Sequence, residues 1–193
     1  DLARTGATVL TRATTILGSA FLIGAFVLTL MGRGGSSVLS GVDTPANATA
    51  QEWHRQIYRG VGLPVSYYAG EIRDTDESYP ELIGYEVRVG ATPGVPSQRV
   101  PEELSDFEAS MRRAVESLDR LIPVGGRPAD TSQLYSTITL CAYSHGEWVR
   151  IHPFANGNGR TARLWANWCA VRYGLPPFVR LEPRPLGDHY ARA

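Results

Sequence analysis

Along most of the chain, apolar residues recur at intervals of three and four. Leu104, Phe107, Met111, Val115, Leu118 and Leu121 line one face of a helix predicted over residues 102–122. Trp53, Ile57 and Val61 do the same for a helix over residues 49–61. "LYSTITLCAYSHGEWVRI" is mostly apolar, which predicts a central helix with Thr131 or Ser132 as its cap. A further helix starts inside or just after residues 152–163 and runs to about Tyr173, where Gly174 and Pro176 stop it. "RPLGDHYARA" reads as the opening of one more helix, interrupted by the end of the chain.

One stretch changes period. "YEVRV" alternates apolar and charged residues, "ATPG" is a turn, and "VPSQRV" is a weak second strand in which Pro96 implies a sheet edge. These predict a small β-hairpin among helices. The fold class is mainly α.

Residues 13–32 contain no charged side chain. Twenty uncharged residues are enough to cross a bilayer, but Thr14, Thr15, Ser19 and Thr29 dilute the run, and Arg12 and Arg33 flank it without asymmetry. A buried helix is the leading reading and a membrane segment the lesser one. The glycines of "GRGGSS" break the chain next, so the expected organisation is a helical segment over residues 1–37 and a main domain over residues 38–193.

Composition narrows the function. The 193 residues carry 19 basic and 19 acidic side chains, so no global field draws in nucleic acid or acidic lipid. The two cysteines, Cys141 and Cys169, sit in apolar helical surroundings and read as buried thiols; neither has a zinc spacing.

The chemistry concentrates in "HPFANGNGRTAR", residues 152–163. Glycines at the start of a helix let backbone amides turn toward an anion, where the helix dipole adds to the attraction. Arg160 and Arg163 lie one turn apart and can clamp neighbouring phosphates. His152 stands just before them, placed to take a proton from an attacking hydroxyl. Residue types alone therefore suggest phosphoryl or nucleotidyl transfer, with His152 as base, residues 157–159 as cradle, and Arg160 and Arg163 as charge stabilisers. Phe154 is expected to anchor the loop in the core. The bland alternative is a polar helix start with solvent-facing arginines. No Walker lysine follows the glycines.

The same twelve residues closely resemble the signature of the Fic family, H-P-F-x-[D/E/N]-G-N-G-R-x-x-R. "YAGEIR" and the hairpin also resemble the segment preceding, and forming, the "flap" of that family, over roughly residues 50–193 in all. The resemblance implies a Fic-type helical bundle that transfers AMP from ATP to a Ser, Thr or Tyr hydroxyl of a target protein, releasing pyrophosphate. By position, His152 is the base, and Asn158 with the amides around Gly157 and Gly159 forms the anion hole. Arg160 and Arg163 hold the β- and γ-phosphates, and Phe154 belongs to the same nucleotide-binding loop. The target docks on the flap at Tyr85, Val87, Val89 and Val95 as an added strand. Arg163, with Gly159 in place of a lysine, favours the adenylylating branch over the Doc-like kinase branch. The alternatives are another donor, removal of AMP, or a module that only binds nucleotide or a partner.

Two positions depart from the usual family pattern. Asn156 stands where Asp or Glu often helps to bind Mg²⁺; an amide oxygen can ligate the ion with less charge. In "TTILGS", Gly18 stands where an inhibitory helix of the family carries its glutamate, which would leave Arg163 unrestrained; the alternative is a helix-packing glycine in a segment that only completes the core. Expected partners are the target protein, an antitoxin or the chain's own inhibitory helix, and a second copy as a homodimer; nucleic acid and membrane are not expected. ATP supply points to the cytoplasm, or to delivery into a host cell as a bacterial toxin or effector. His145 is expected mainly to pack, His54 to lie on a surface or helix face, Glu102 and Glu103 to sit at the positive end of their helix, and Tyr67, Tyr68 and Tyr79 to be packing residues.

Overall fold

The computed structural model describes residues 44–177. Gly18, the apolar run at 13–32, the arginines of "VRLEPRP" and the C-terminal helix opening fall outside the described residues.

Within them lie four α-helices, α1 (Asn47–Ile57), α2 (Val100–Asp119), α3 (Thr131–Ile151) and α4 (Asn158–Arg172), and one antiparallel pair, β1 (Arg88–Val89) and β2 (Thr92–Pro93). Helix α4 shows why it packs closely against α3. Its inward face is Ala162, Trp165, Ala166, Cys169, Ala170 and, just past its end, Tyr173, all buried, and the three alanines let a neighbouring backbone approach. Helix α3 buries Thr137, Leu140, Cys141, Ser144, Trp148 and Ile151 at helical spacing. Its two buried hydroxyls are satisfied locally: Thr137 donates to Gln133 O at 2.9 Å and Ser144 to Cys141 O at 2.9 Å. Phe107, Met111, Val115 and Leu118 of α2 complete the core. Cys141 and Cys169 are buried free thiols.

The four helices predicted within the described residues are present with shifted ends, and the shifts have consequences. Asp130, not Thr131 or Ser132, caps α3; its carboxylate accepts from the Gln133 amide at 2.8 Å. Helix α2 stops at Asp119, so Leu121 falls in the turn and is 61% exposed while Ile122 enters the core. Helix α1 stops at Ile57, which leaves Val61 outside it and exposed. Its buried face is Ala50, His54 and, just past its end, Tyr58. Glu103, in the first turn of α2, pairs with Arg99 and with Arg150, and the Arg150 guanidinium holds its carboxyl below the usual range. It thereby ties the start of α2 to the end of α3.

The hairpin is shorter than predicted. Arg88 pairs with Pro93 and Val89 with Thr92 around a turn at Gly90, whose φ is +61°. The expected turn "ATPG" thus contributes the second strand, and "VPSQRV" is not one. Pro96 has no N–H to add to a ladder, Glu86 Oε1 accepts from the Ser97 amide at 3.0 Å, and residues Ser97–Arg99 coil into a 3-10 turn that leads into α2.

Candidate active site

Residues 152–157 join α3 to α4. The helix ends at His152, which takes the left-handed conformation (φ +55°, ψ +56°) while its amide still donates to Trp148 O at 3.0 Å. A side chain here is strained relative to glycine. The turn swings the imidazole out of the helix, with Nδ1 3.0 Å from Val149 O. A carbonyl only accepts, so Nδ1 carries the proton and Nε2 keeps its lone pair. Burial, and secondarily the Arg73 charge, lower the pKa of His152; the bond to Val149 opposes them. The imidazole is therefore neutral, with a basic nitrogen, at ordinary pH.

Phe154 is fully buried and anchors the loop as expected. Its ring lies 5.9 Å from that of Trp148 and stacks on His54 at 3.9 Å. Asn158 is buried and turns its carboxamide inward: Oδ1 accepts from the Phe154 amide at 2.9 Å and Nδ2 donates to Phe154 O at 2.7 Å. This one side chain closes the loop on itself, so what Asn158 can offer an anion is its backbone N–H. The amides of Asn158 and Gly159 open α4 and have no intrahelical acceptor, whereas those of Arg160 and Thr161 already donate to Gly157 O. Asn156 is exposed, and its Oδ1 accepts from the Gly157 amide at 2.7 Å.

Gly157 caps α4 with φ +79°. A methyl group there would stand 2.7 Å from His54 Nε2 and 2.9 Å from the Tyr58 ring. Arg160 is exposed; it lies over that ring, 4.6 Å from its centre, and donates to the Tyr58 hydroxyl. Arg163 curls back toward the helix start, its Nη1 3.9 Å from where a Gly159 side chain would begin. The same charge, after burial, lowers the pKa of the half-buried His145.

Two supports escaped the sequence reading. His54, expected on a surface or helix face, is fully buried. The Gly70 amide donates to its Nδ1 at 2.9 Å, so Nε2 bears the proton and donates to Asn156 O at 2.8 Å. Burial holds its pKa down to about 4. The two histidines of the site are thus opposite tautomers, one holding the loop and one exposing a base. Arg73 is also fully buried, bonded to backbone carbonyls of the loop and of the hairpin's roots.

Of the flap residues, Val87 and Val95 are buried, Val89 is half-buried against the core, and Tyr85 is half-buried. Gly94 lets the flap lie on the loop: a methyl group there would be 2.8 Å from Val87 Cγ2 and 3.4 Å from His152 Cβ. Tyr67, Tyr68, Tyr79 and Tyr85 form a chain of ring contacts with neighbouring ring centres 5.0–6.1 Å apart. A cavity of about 190 Å³ opens between Tyr58, Tyr68, Tyr85 and Asn156.

Fold and site together define a helical domain that presents a histidine base and a helix-start amide nest on one loop, with a hairpin laid beside them. The chain belongs to the Fic/DOC family, whose model matches residues 46–170. It is similar to protein adenylyltransferase fic-1 of Caenorhabditis elegans, 33% identical over 141 residues that cover 72% of this chain and 22% of that protein. Fic-1 of Caenorhabditis briggsae, also named a protein adenylyltransferase, is 31% identical over 140 residues with the same coverage. Among solved structures, a fragment of C. elegans Fic-1 (residues 134–508) aligns with a TM-score of 0.48 and 28% identity, over 71% of this chain and 32% of that one. The chain spans about a fifth of the length of these curated relatives.

Proposed function

We propose that this chain is a catalytic domain that transfers AMP from ATP to a hydroxyl of a target protein. The observation that carries the reading is the open Nε2 of His152, a few residues from the unpaired amides that begin α4. The names of the relatives, protein adenylyltransferases, support it. Nε2 of His152 takes the proton of a Ser, Thr or Tyr hydroxyl, and the freed oxygen attacks the α-phosphorus of ATP. The bond to the β,γ-pyrophosphate breaks, and pyrophosphate leaves with the electron pair. The amides of Asn158 and Gly159 receive phosphate oxygens, and Arg160 and Arg163 hold the β- and γ-phosphates. No group of three His, Cys, Asp or Glu side chains among the described residues could hold a metal ion. Mg²⁺ commonly rests on one protein oxygen plus the nucleotide's own phosphates, and exposed Asn156 Oδ1 fits that role; the ion would supply neutralising charge.

The target docks along the backbone edge of the flap, with Tyr85 and Val89 as its half-exposed contacts, while Val87 and Val95 root the hairpin. Among the described residues no helix is long and apolar enough to cross a membrane. The need for ATP favours the cytoplasm, or a host cell receiving the protein.

Intact-mass measurement after incubation with ATP and Mg²⁺, alone and with a cell lysate followed by labelled ATP, tests this. Wild type is expected to place one AMP unit on itself or on a lysate protein, and His152→Ala is expected to place none. Transfer of a phosphate instead, or equal labelling by His152→Ala, would refute the reading.

A further inference from the structure

We propose that Arg73 is a positioning residue that couples the flap to the catalytic base. The inference rests on the reading of His152 as that base. Arg73 is fully buried and touches no space a substrate can enter. Its guanidinium addresses four backbone carbonyls. Nε donates to His152 O at 2.8 Å and Nη2 to Ile151 O at 3.0 Å. Nη1 donates to Tyr85 O at 2.8 Å and Nη2 also to Val95 O at 2.7 Å. The first two acceptors belong to the end of α3 and the left-handed residue that carries the base. The other two are the roots of the flap, one before β1 and one after β2. The Arg73 amide adds a bond to Pro153 O at 3.0 Å.

Tying a hairpin to a helix end needs no charge. Burying a guanidinium carries a desolvation penalty, and burial does lower the pKa of Arg73. Its nearest carboxylate, Glu86, is solvent-exposed and 3.9 Å away. A planar fork of five donors is the one side chain that can fix several carbonyls of two segments in a common geometry. The join is direct on the other side as well, because Gly94 brings the flap's second root against His152 Cβ. A displacement of the flap therefore moves the imidazole, and the strained turn at His152 is held from the flap.

The test uses the whole chain with ATP and Mg²⁺, reading all AMP formed, whether bound to protein or released by water. The variants are Arg73→Lys, which keeps the charge but not the fork, and Gly94→Ala, which levers the flap root away while leaving Arg73 intact. Misplacement of a reacting group by about 1 Å costs about 100-fold. For both variants kcat is expected to fall at least about tenfold, with the KM for ATP within about twofold of wild type, since the amide nest and Arg160 do not touch Arg73. Hydrogen exchange at the amides of Gly94, Val95 and His152 is expected to quicken together, while α4 core amides keep their protection. Unchanged kcat, a KM that rises in step with the fall in kcat, or faster exchange at α4 core amides as well would overturn the proposal. Should Arg73→Lys fail to fold, Gly94→Ala decides by the same readings. Should wild type form no AMP at all, the proposed activity fails, and the exchange measurement still judges the coupling by itself.

Discussion

Two glycines of "GNG" stand two residues apart and are expected to respond in opposite ways to the same added methyl group. Gly157 has φ +79°, and its Cβ would fall 2.7 Å from His54 Nε2 and 2.9 Å from the Tyr58 ring. Neither ring can yield cheaply. His54 is pinned by Gly70 N–H and Asn156 O and stacked on Phe154, and Tyr58 lies under Arg160. The left-handed conformation costs an L-residue about 1–2 kcal/mol, and forcing a methylene into packed surroundings about 1–3 kcal/mol. Gly157→Ala should therefore lose about 2–5 kcal/mol, a large share of the about 5–15 kcal/mol that holds a domain together. At about 2–4 °C per kcal/mol for a chain of this size, the melting temperature should drop by about 4–20 °C. At Gly159 the nearest atom to an added Cβ is Arg163 Nη1 at 3.9 Å, an ordinary contact on a regular helix. Gly159→Ala should be neutral or stabilising by up to about 1 kcal/mol. Urea unfolding followed by tryptophan fluorescence measures both variants, given a common m-value. A Gly157→Ala protein no less stable than Gly159→Ala would refute the account of how the loop is supported.

Acid should loosen the domain through His54. Its pKa falls from 6.5 to about 4 on folding, so the unfolded chain binds the proton more tightly; the stability is complete above pH 6.5 and is lost as pH drops toward 4. A difference of this size corresponds to about 3 kcal/mol, and His54→Phe should flatten the slope of unfolding free energy against pH in that window. At the far end of α4, Asp119 accepts from Arg172 Nε at 3.1 Å and from the Tyr173 hydroxyl at 2.9 Å. Asp119→Ala leaves a nearly buried guanidinium without that carboxylate and should cost about 2–4 kcal/mol by urea titration, with AMP transfer per folded molecule unchanged.

The loop between α3 and α4 was legible as an element because its residues are consecutive in the sequence. His152, Phe154, Asn156, Gly157, Asn158, Arg160 and Arg163 fall where a helix–loop–helix reading puts them. Its supports were not legible, because they come from far along the chain. His54 lies 102 residues from the carbonyl it holds, and Arg73 lies 78 and 79 residues from two of its acceptors. Arg73 was visible only as the last letter of "YAGEIR". A histidine on an amphipathic helix carries no periodic mark of burial when its partners are backbone groups elsewhere. Val61 and Leu121 were misplaced for a simpler reason, since a helix that stops a few residues early turns its next apolar side chain outward. The strand expected at "VPSQRV" was lost to the missing N–H of Pro96 and to the hold of Glu86 on Ser97.

The left-handed turn at His152 has a bearing on how the chain ages under mutation. Glycine would relieve the backbone there, and under the proposed function any replacement forfeits the base, so the fold and the proposed chemistry pull this position in opposite directions. A lineage released from its chemistry would gain robustness by letting the histidine drift to glycine. If the proposed reaction were lost, nothing would be left to offset the strain at this position.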